Sequence, residues 1–177
     1  LLELLVPIAK SWPSEWAQEA NSQAIQILGG YGYTRDFPVE QYWRDNRLNM
    51  IHEGTHGIQG LDLLGRKVLM NEGAALKALA ARIGETVTRA ASADAGLQAH
   101  GRALAAALQE VDAATRAAWA TGNPAEALAN ATSYLQGFGH VVLAWIWLEL
   151  ALAAQTADAE QWPKGFLQGK RGACDYF

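Results

Sequence analysis

The chain has 177 residues, half of them hydrophobic, which is enough for one domain or two small ones around a buried core. Its 14 Lys and Arg against 18 Asp and Glu leave a net charge of −4, which argues against the basic face of a general nucleic-acid binder. A lone cysteine, Cys174, excludes an internal disulfide and fits a reducing compartment, so the cytoplasm or another reducing space is expected.

Strand signals are nearly absent. Apolar residues recur at three- and four-residue steps among alanines and leucines, and the expected fold is all-α. The opening Leu1-Leu2-Glu3-Leu4-Leu5 lacks the basic region of a signal peptide. The chain starts without Met inside an apolar run and ends in mid-pattern at Tyr176-Phe177, which predicts a piece of a longer protein. Pro13-Ser14 is expected to open a helix running to about Leu28, with Gly29-Gly30 as its stop, because glycine tolerates the left-handed conformation past a helix end. Tyr31 to Phe37 reads as a loop, and Pro38 as the first turn of a helix to about Asn49. Glu53-Gly54 falls in a short loop, and Thr55 should cap a helix reaching about Met70.

Beyond Met70 the composition turns alanine-rich, and helices are expected over 74–92 and 97–120. Thr121-Gly122-Asn123-Pro124 breaks the chain: Gly122 ends one helix, Asn123 caps the next and Pro124 fits its first turn. One long helix should then run to about Ala154 and pack against antiparallel neighbours. Its stretch 138–154 is almost wholly apolar. A membrane span needs roughly 20 such residues. This run is shorter and holds Glu149, a charge that lipid penalises, so a central bundle helix is expected rather than a span.

Residues 21–70 carry the chemistry. In order stand Gln26, Gly29-Gly30-Tyr31-Gly32-Tyr33, Pro38 and Glu40, Arg44-Asp45, Glu53-Gly54-Thr55 and Ile58-Gln59. This series resembles the C-terminal helical domain of acyl-CoA dehydrogenases. Leu61-Asp62-Leu63-Leu64-Gly65-Arg66-Lys67 is similar to the long-form branch, which includes methylmercaptopropionyl-CoA dehydrogenases and carries an extra C-terminal helical region. Tyr134-Leu135, Phe138-Gly139, Gly169-Lys170 and Ala173 to Phe177 are similar to that region, more loosely. The expected division is therefore 1–72 as part of the helical domain and 73–177 as the appended region.

The resemblance implies oxidation of an acyl-CoA to its 2,3-enoyl-CoA: a proton leaves the carbon beside the thioester carbonyl, and a hydride passes from the next carbon to FAD. An α-C–H is a poor acid, so the reaction needs a positioned carboxylate in a dry pocket, where burial makes it a stronger base. Glu53 is the implied base. Gly54 is the implied neighbour of the thioester, where the absence of a side chain permits close approach. Thr55 and Gly57 are implied flavin contacts. Gln26, Gly29 and Gly30 are implied contacts to the dinucleotide part of FAD held mainly by a neighbouring subunit, with N–H groups at the glycine turn free for phosphate oxygens. A homo-oligomer, at least a dimer, follows, with an electron-transferring flavoprotein to reoxidise FAD. The flavin-binding sheet domain lies outside this chain, so the isolated piece is expected to be inactive.

Other residues read more plainly. His52 stands where the family often has Tyr, and Gly57 where many relatives carry Gln, though the long-form branch often has Gly too. Arg44-Asp45 reads as a structural ion pair or helix anchor. His56, His100 and His140 have no partner at metal-ligand spacing, so no metal is expected. Cys174 and the tryptophans Trp12, Trp16, Trp43, Trp145 and Trp147 read as core. Two other function classes stay open: an inactive helical interaction or oligomerisation module, and an acyl-CoA oxidase that passes electrons to oxygen. Bound flavin with turnover tests the first; peroxide production against dye reduction tests the second.

Overall fold

The computed structural model describes residues 1–158 and 160–177. Among these there are eight α-helices and no strand, so the fold is all-α. The helices are α1 (Leu2–Leu28), α2 (Val39–Asn49), α3 (His56–Asp62), α4 (Met70–Ala90), α5 (Ala95–Ala118), α6 (Pro124–Ala127), α7 (Ala131–Thr156) and α8 (Lys164–Tyr176). A 3₁₀ helix, Gly29–Tyr33, links α1 to α2, and a π-helix, Leu63–Lys67, follows α3.

The helix α1 starts well before Pro13 and carries both Pro7 and Pro13 inside it. An internal proline costs about 3 kcal/mol or more through its missing N–H and ring clash. Burial of Leu4 and Ile8 offsets part of this, at roughly 1.5–3 kcal/mol for each side chain. The Ser14 hydroxyl also meets the Lys10 and Ser11 carbonyls at 3.0 and 2.9 Å, beside the interrupted ladder. Gly29, at φ +60°, ends α1 as expected. The residues read as a loop begin instead with the 3₁₀ turn, in which Gly32 packs so closely that a Cβ would lie 2.6 Å from the Ile25 carbonyl oxygen. α2 returns antiparallel to α1: Trp43 donates to Ser22 (3.1 Å) and Asn46 to Gln18 (3.0 Å). Arg44 pairs with Glu40 at 3.9 Å and Asp45 accepts from Gln41 at 2.7 Å, so the expected Arg44-Asp45 pair is two separate helical pairs.

The helix expected from Thr55 to Met70 is divided. After α3 the π-turn, closed by Val68 N–H to Leu63 O at 3.0 Å, inserts a residue and buries Leu63, Leu64 and Lys67 together. Lys67 is 5% exposed and forms an ion pair with Glu3 of α1, whose carboxyl is held below its usual range by that hydrogen bond and charge. The Trp119 indole, at the end of α5, donates to the Leu64 carbonyl at 3.1 Å and ties this turn to the second half of the chain. Asn71, Glu72 and Gly73 have φ of 50°, 56° and 75°, so regular helix in α4 begins after them, as the sequence predicts.

Gly122 (φ +68°) and Asn123, whose side chain accepts from Ala125 N–H at 3.1 Å, break the chain where expected. The helix they start is only α6, and a turn over 128–130 separates it from α7. α7 is central, packed by α1, α3, α4, α5 and α8. By length and composition α7 could cross a membrane. Here it buries Leu135, Phe138, Val141, Val142, Leu148, Ala151 and Leu152 in the common core. Glu149 is answered across α4: its carboxylate pairs with Arg89 and meets the fully buried Thr86 hydroxyl, which accepts from the Trp145 indole at 2.8 Å. Cys174 is buried as expected, with its thiol pushed up by burial. Trp43 is half-buried and lies outside the core cluster, and Trp16 departs further from the expected core tryptophans. It is exposed, 5.5 Å from the rings of Trp12 and His140. α8, where no helix was expected, begins just after Pro163, packs on α7 and reaches α5 through the ion pairs Arg171–Asp94 and His100–Asp175.

Two predictions follow from this packing. A Cβ on Gly60 would stand 2.6 Å from the Ala131 carbonyl oxygen, a backbone atom that cannot rotate away. Gly60→Ala should therefore destabilise by about 1–3 kcal/mol in a denaturant titration, although alanine in a helix ordinarily stabilises. Tyr134 lies 2.6 Å from the Thr115 hydroxyl, and burial raises its phenol from 10.0 to about 12. A raised folded-state value gives stability that is intact below pH 10 and lost as the pH rises towards 12. Melting curves across that window should fall less steeply for Tyr134→Phe than for the wild type.

Candidate functional site

The Glu53 loop joins the end of α2 to the start of α3. His52 N–H still reaches back to the Leu48 carbonyl at 2.8 Å, continuing the last turn of α2. The backbone then reverses: Glu53 has φ +59° and Gly54 φ +110°. Gly54 is required by that angle, and a Cβ there would also press on the Gln59 amide nitrogen at 3.1 Å. Glu53 is not a glycine, and a left-handed backbone costs such a residue roughly 1–2 kcal/mol. Thr55 then caps α3, accepting from Ile58 N–H at 3.4 Å, as expected.

Glu53 is not in a dry pocket built by this chain. Its side chain is 73% exposed, with the Lys10 ammonium of α1 at 3.5 Å. Ile51, two residues before it, is itself 49% exposed. His52 is exposed as well, and a Cβ at Gly57 would make only ordinary contact with the Thr55 and Thr132 hydroxyls. The described residues therefore supply an anchored carboxylate and leave its screening to surfaces outside them. Two partners had no role assigned from sequence. Lys10 gives no local signal, being far from Glu53 in the chain; Gln59 stands inside the motif, and its side-chain amide donates to the Glu53 carbonyl at 3.0 Å.

Gln26, Gly29 and Gly30 form a second patch, all exposed, at the far end of α1. Lys10, beside Glu53, and Gln26 lie about 24 Å apart along that helix at 1.5 Å per residue. The two sets of candidate residues are thus not brought together in one chain. A Cβ at Gly29 or Gly30 would meet nothing within 4 Å, so the surface there is open to a ligand. The expected free N–H at Gly29 is not free: it donates to the Gln26 carbonyl. A separate cleft of about 600 Å³ is lined by Glu15, Trp16, Gln18, Glu19, Met50 and His140 among others, and none of the candidate site residues lines it.

The left-handed Glu53 yields a stability test. Glu53→Gly should leave stability unchanged or raise it by up to about 1 kcal/mol, since glycine takes this angle without strain and an exposed ion pair contributes little. Glu53→Val should lower it by about 1–2 kcal/mol, since a β-branched side chain tolerates the angle worst. Urea unfolding of both variants decides between this account and an unstrained loop.

Comparison with known proteins reaches both halves of the chain. The family model "acyl-CoA dehydrogenase, C-terminal domain" matches residues 3–69. A second, "acetyl-CoA dehydrogenase C-terminal like", matches residues 79–177. A 3-methylmercaptopropionyl-CoA dehydrogenase of Ruegeria pomeroyi is 35% identical over all of this chain and 30% of its own length. A broad-specificity linear acyl-CoA dehydrogenase of Mycobacterium tuberculosis is 31% identical over 99% of this chain and 30% of its own length. A butyryl-CoA dehydrogenase of Syntrophomonas wolfei is 31% identical over 88% of this chain and 25% of its own length. The chain thus spans less than a third of the length of these relatives.

Proposed function

Because the chain belongs to the acyl-CoA dehydrogenase family, in the branch with an appended C-terminal helical region, we propose that it is the C-terminal part of an enzyme that oxidises an acyl-CoA to the 2,3-enoyl-CoA, with Glu53 as the base. The observation that carries this reading is the Glu53 loop: an accessible carboxylate on a backbone clamped by the Thr55 cap and the Gln59 amide. Residues 1–72 are assigned to the helical domain that meets the flavin, and 73–177 to the appended region.

In this reading the Glu53 carboxylate takes the proton from the carbon beside the thioester carbonyl. The remainder of the full-length protein closes over it and removes water, which strengthens the base. Gly54 lets the thioester approach the backbone. The Thr55 hydroxyl, which uses its oxygen as the α3 cap, keeps its hydrogen for donation to the flavin. FAD, when bound, supplies the hydride acceptor. The open surface at Gly29 and Gly30 and the exposed Gln26 amide fit a dinucleotide backbone, and Gly57 lies beside the Thr55 side chain. The separation of the two patches along α1 supports a site that a second copy completes, hence a homo-oligomer. An electron-transferring flavoprotein would accept the electrons, in the cytoplasm or another reducing compartment.

The test is Glu53→Gln in the full-length, flavin-loaded protein. Acyl-CoA oxidation and exchange of the α-proton in D₂O should both fall by about 10²–10⁴-fold, the usual contribution of a general base, with the flavin content unchanged. Undiminished exchange would remove Glu53 from the role.

A further inference from the structure

We propose that Gln59 is a positioning residue that holds Glu53 in its working conformation, measured from a helix seated on the appended region. The proposal rests on the reading of Glu53 as the base.

The loop needs an outside clamp. Glu53 and Gly54 are consecutive residues at positive φ, and a glutamate stays in that conformation only where its surroundings over-determine it. The Gln59 amide is such a constraint. Its Nε2 donates to the Glu53 carbonyl at 3.0 Å, across the turn, while the Gly54 backbone folds over it. Gln59 is only 9% exposed, so its amide is not a loose surface group. Its own position is fixed twice. Its backbone N–H donates to the Thr55 carbonyl at 3.0 Å, within the capped first turn of α3. The next residue is Gly60, whose missing side chain lets α3 rest against the Ala131 carbonyl at the start of α7.

A chain thus runs from α7, through Gly60 and Gln59, to the backbone that aims the Glu53 carboxylate. Removing the amide leaves Glu53 free to leave the strained angle, and its carboxylate then swings away from the carbon it must deprotonate. A displacement on the order of 1 Å costs about a hundredfold in rate where geometry governs the step. Binding of the acyl-CoA, which does not require this geometry, is spared.

The experiment uses the full-length, flavin-loaded enzyme with Gln59→Met, of similar length but without the donor, and Gln59→Glu, of the same shape but with an acceptor facing the Glu53 carbonyl. Both should lower kcat and α-proton exchange in D₂O by about 10- to 100-fold, with the acyl-CoA KM within about threefold and flavin content near wild type. Gln59→Met should keep its melting temperature near wild type, while Gln59→Glu should melt lower because its carboxylate is buried against a carbonyl. The proposal is overturned if Gln59→Met keeps kcat and exchange within about twofold of wild type while Glu53→Gln is inactive. It is also overturned if activity in both variants falls only in step with lost flavin or lost folded protein, since Gln59 would then be merely structural. A Glu53→Gln enzyme that still exchanges the α-proton would instead remove the reading beneath it, and the two failures are told apart by that arm.

Discussion

The closeness of α3 to α7 is the constraint on which the rest depends. α3 has only seven residues, too few to hold itself as a helix in water. It persists because it is capped by Thr55 at one end, continued by the π-turn at the other, and pressed on α7 at Gly60. That contact puts backbone against backbone with no side chain between, and a close-packed interior offers no slack to absorb one. The Glu53 loop inherits its position from this seat.

The same logic explains why the two halves of the chain do not read as independent bodies. Trp119 donates to the Leu64 carbonyl within the π-turn, the Trp12 indole donates to His140 at 3.1 Å, and a Cβ at Gly139 would strike the Trp12 ring at 2.5 Å. Buried polar groups cost free energy unless they find partners, and these partners are supplied from opposite halves. Glu149 follows the rule inside the second half, where Arg89, Thr86 and Trp145 surround the carboxylate that the sequence leaves stranded in an apolar run.

α1 sets the scale of the candidate site. It reaches both patches, with Lys10 near Glu53 and Gln26 with Gly29 at its far end. Its length separates the two patches, so a ligand bridging them in one chain would have to span the helix. The surfaces around each are open, as suits a segment that makes up less than a third of its relatives.

Chain-local physics was legible in the residues themselves. Gly29 and Gly122 mark helix ends because their angles need no neighbour to justify them, and Thr55 and Asn123 cap because a short side-chain oxygen reaches the N–H groups just ahead of it. The ordered series from Gln26 to Gln59 sufficed for the family, since motif spacing is a property of the chain. Only the tertiary structure decided that α1 runs through Pro13, that a π-turn buries Lys67, that α6 and α7 are separate and that Glu53 takes a left-handed angle under Gln59. Each of these is a local cost met by a distant partner: core burial for the proline, Glu3 for the lysine, the α7 seat for the glutamate. Local periodicity carries no record of such partners, because they are brought together only when the helices pack.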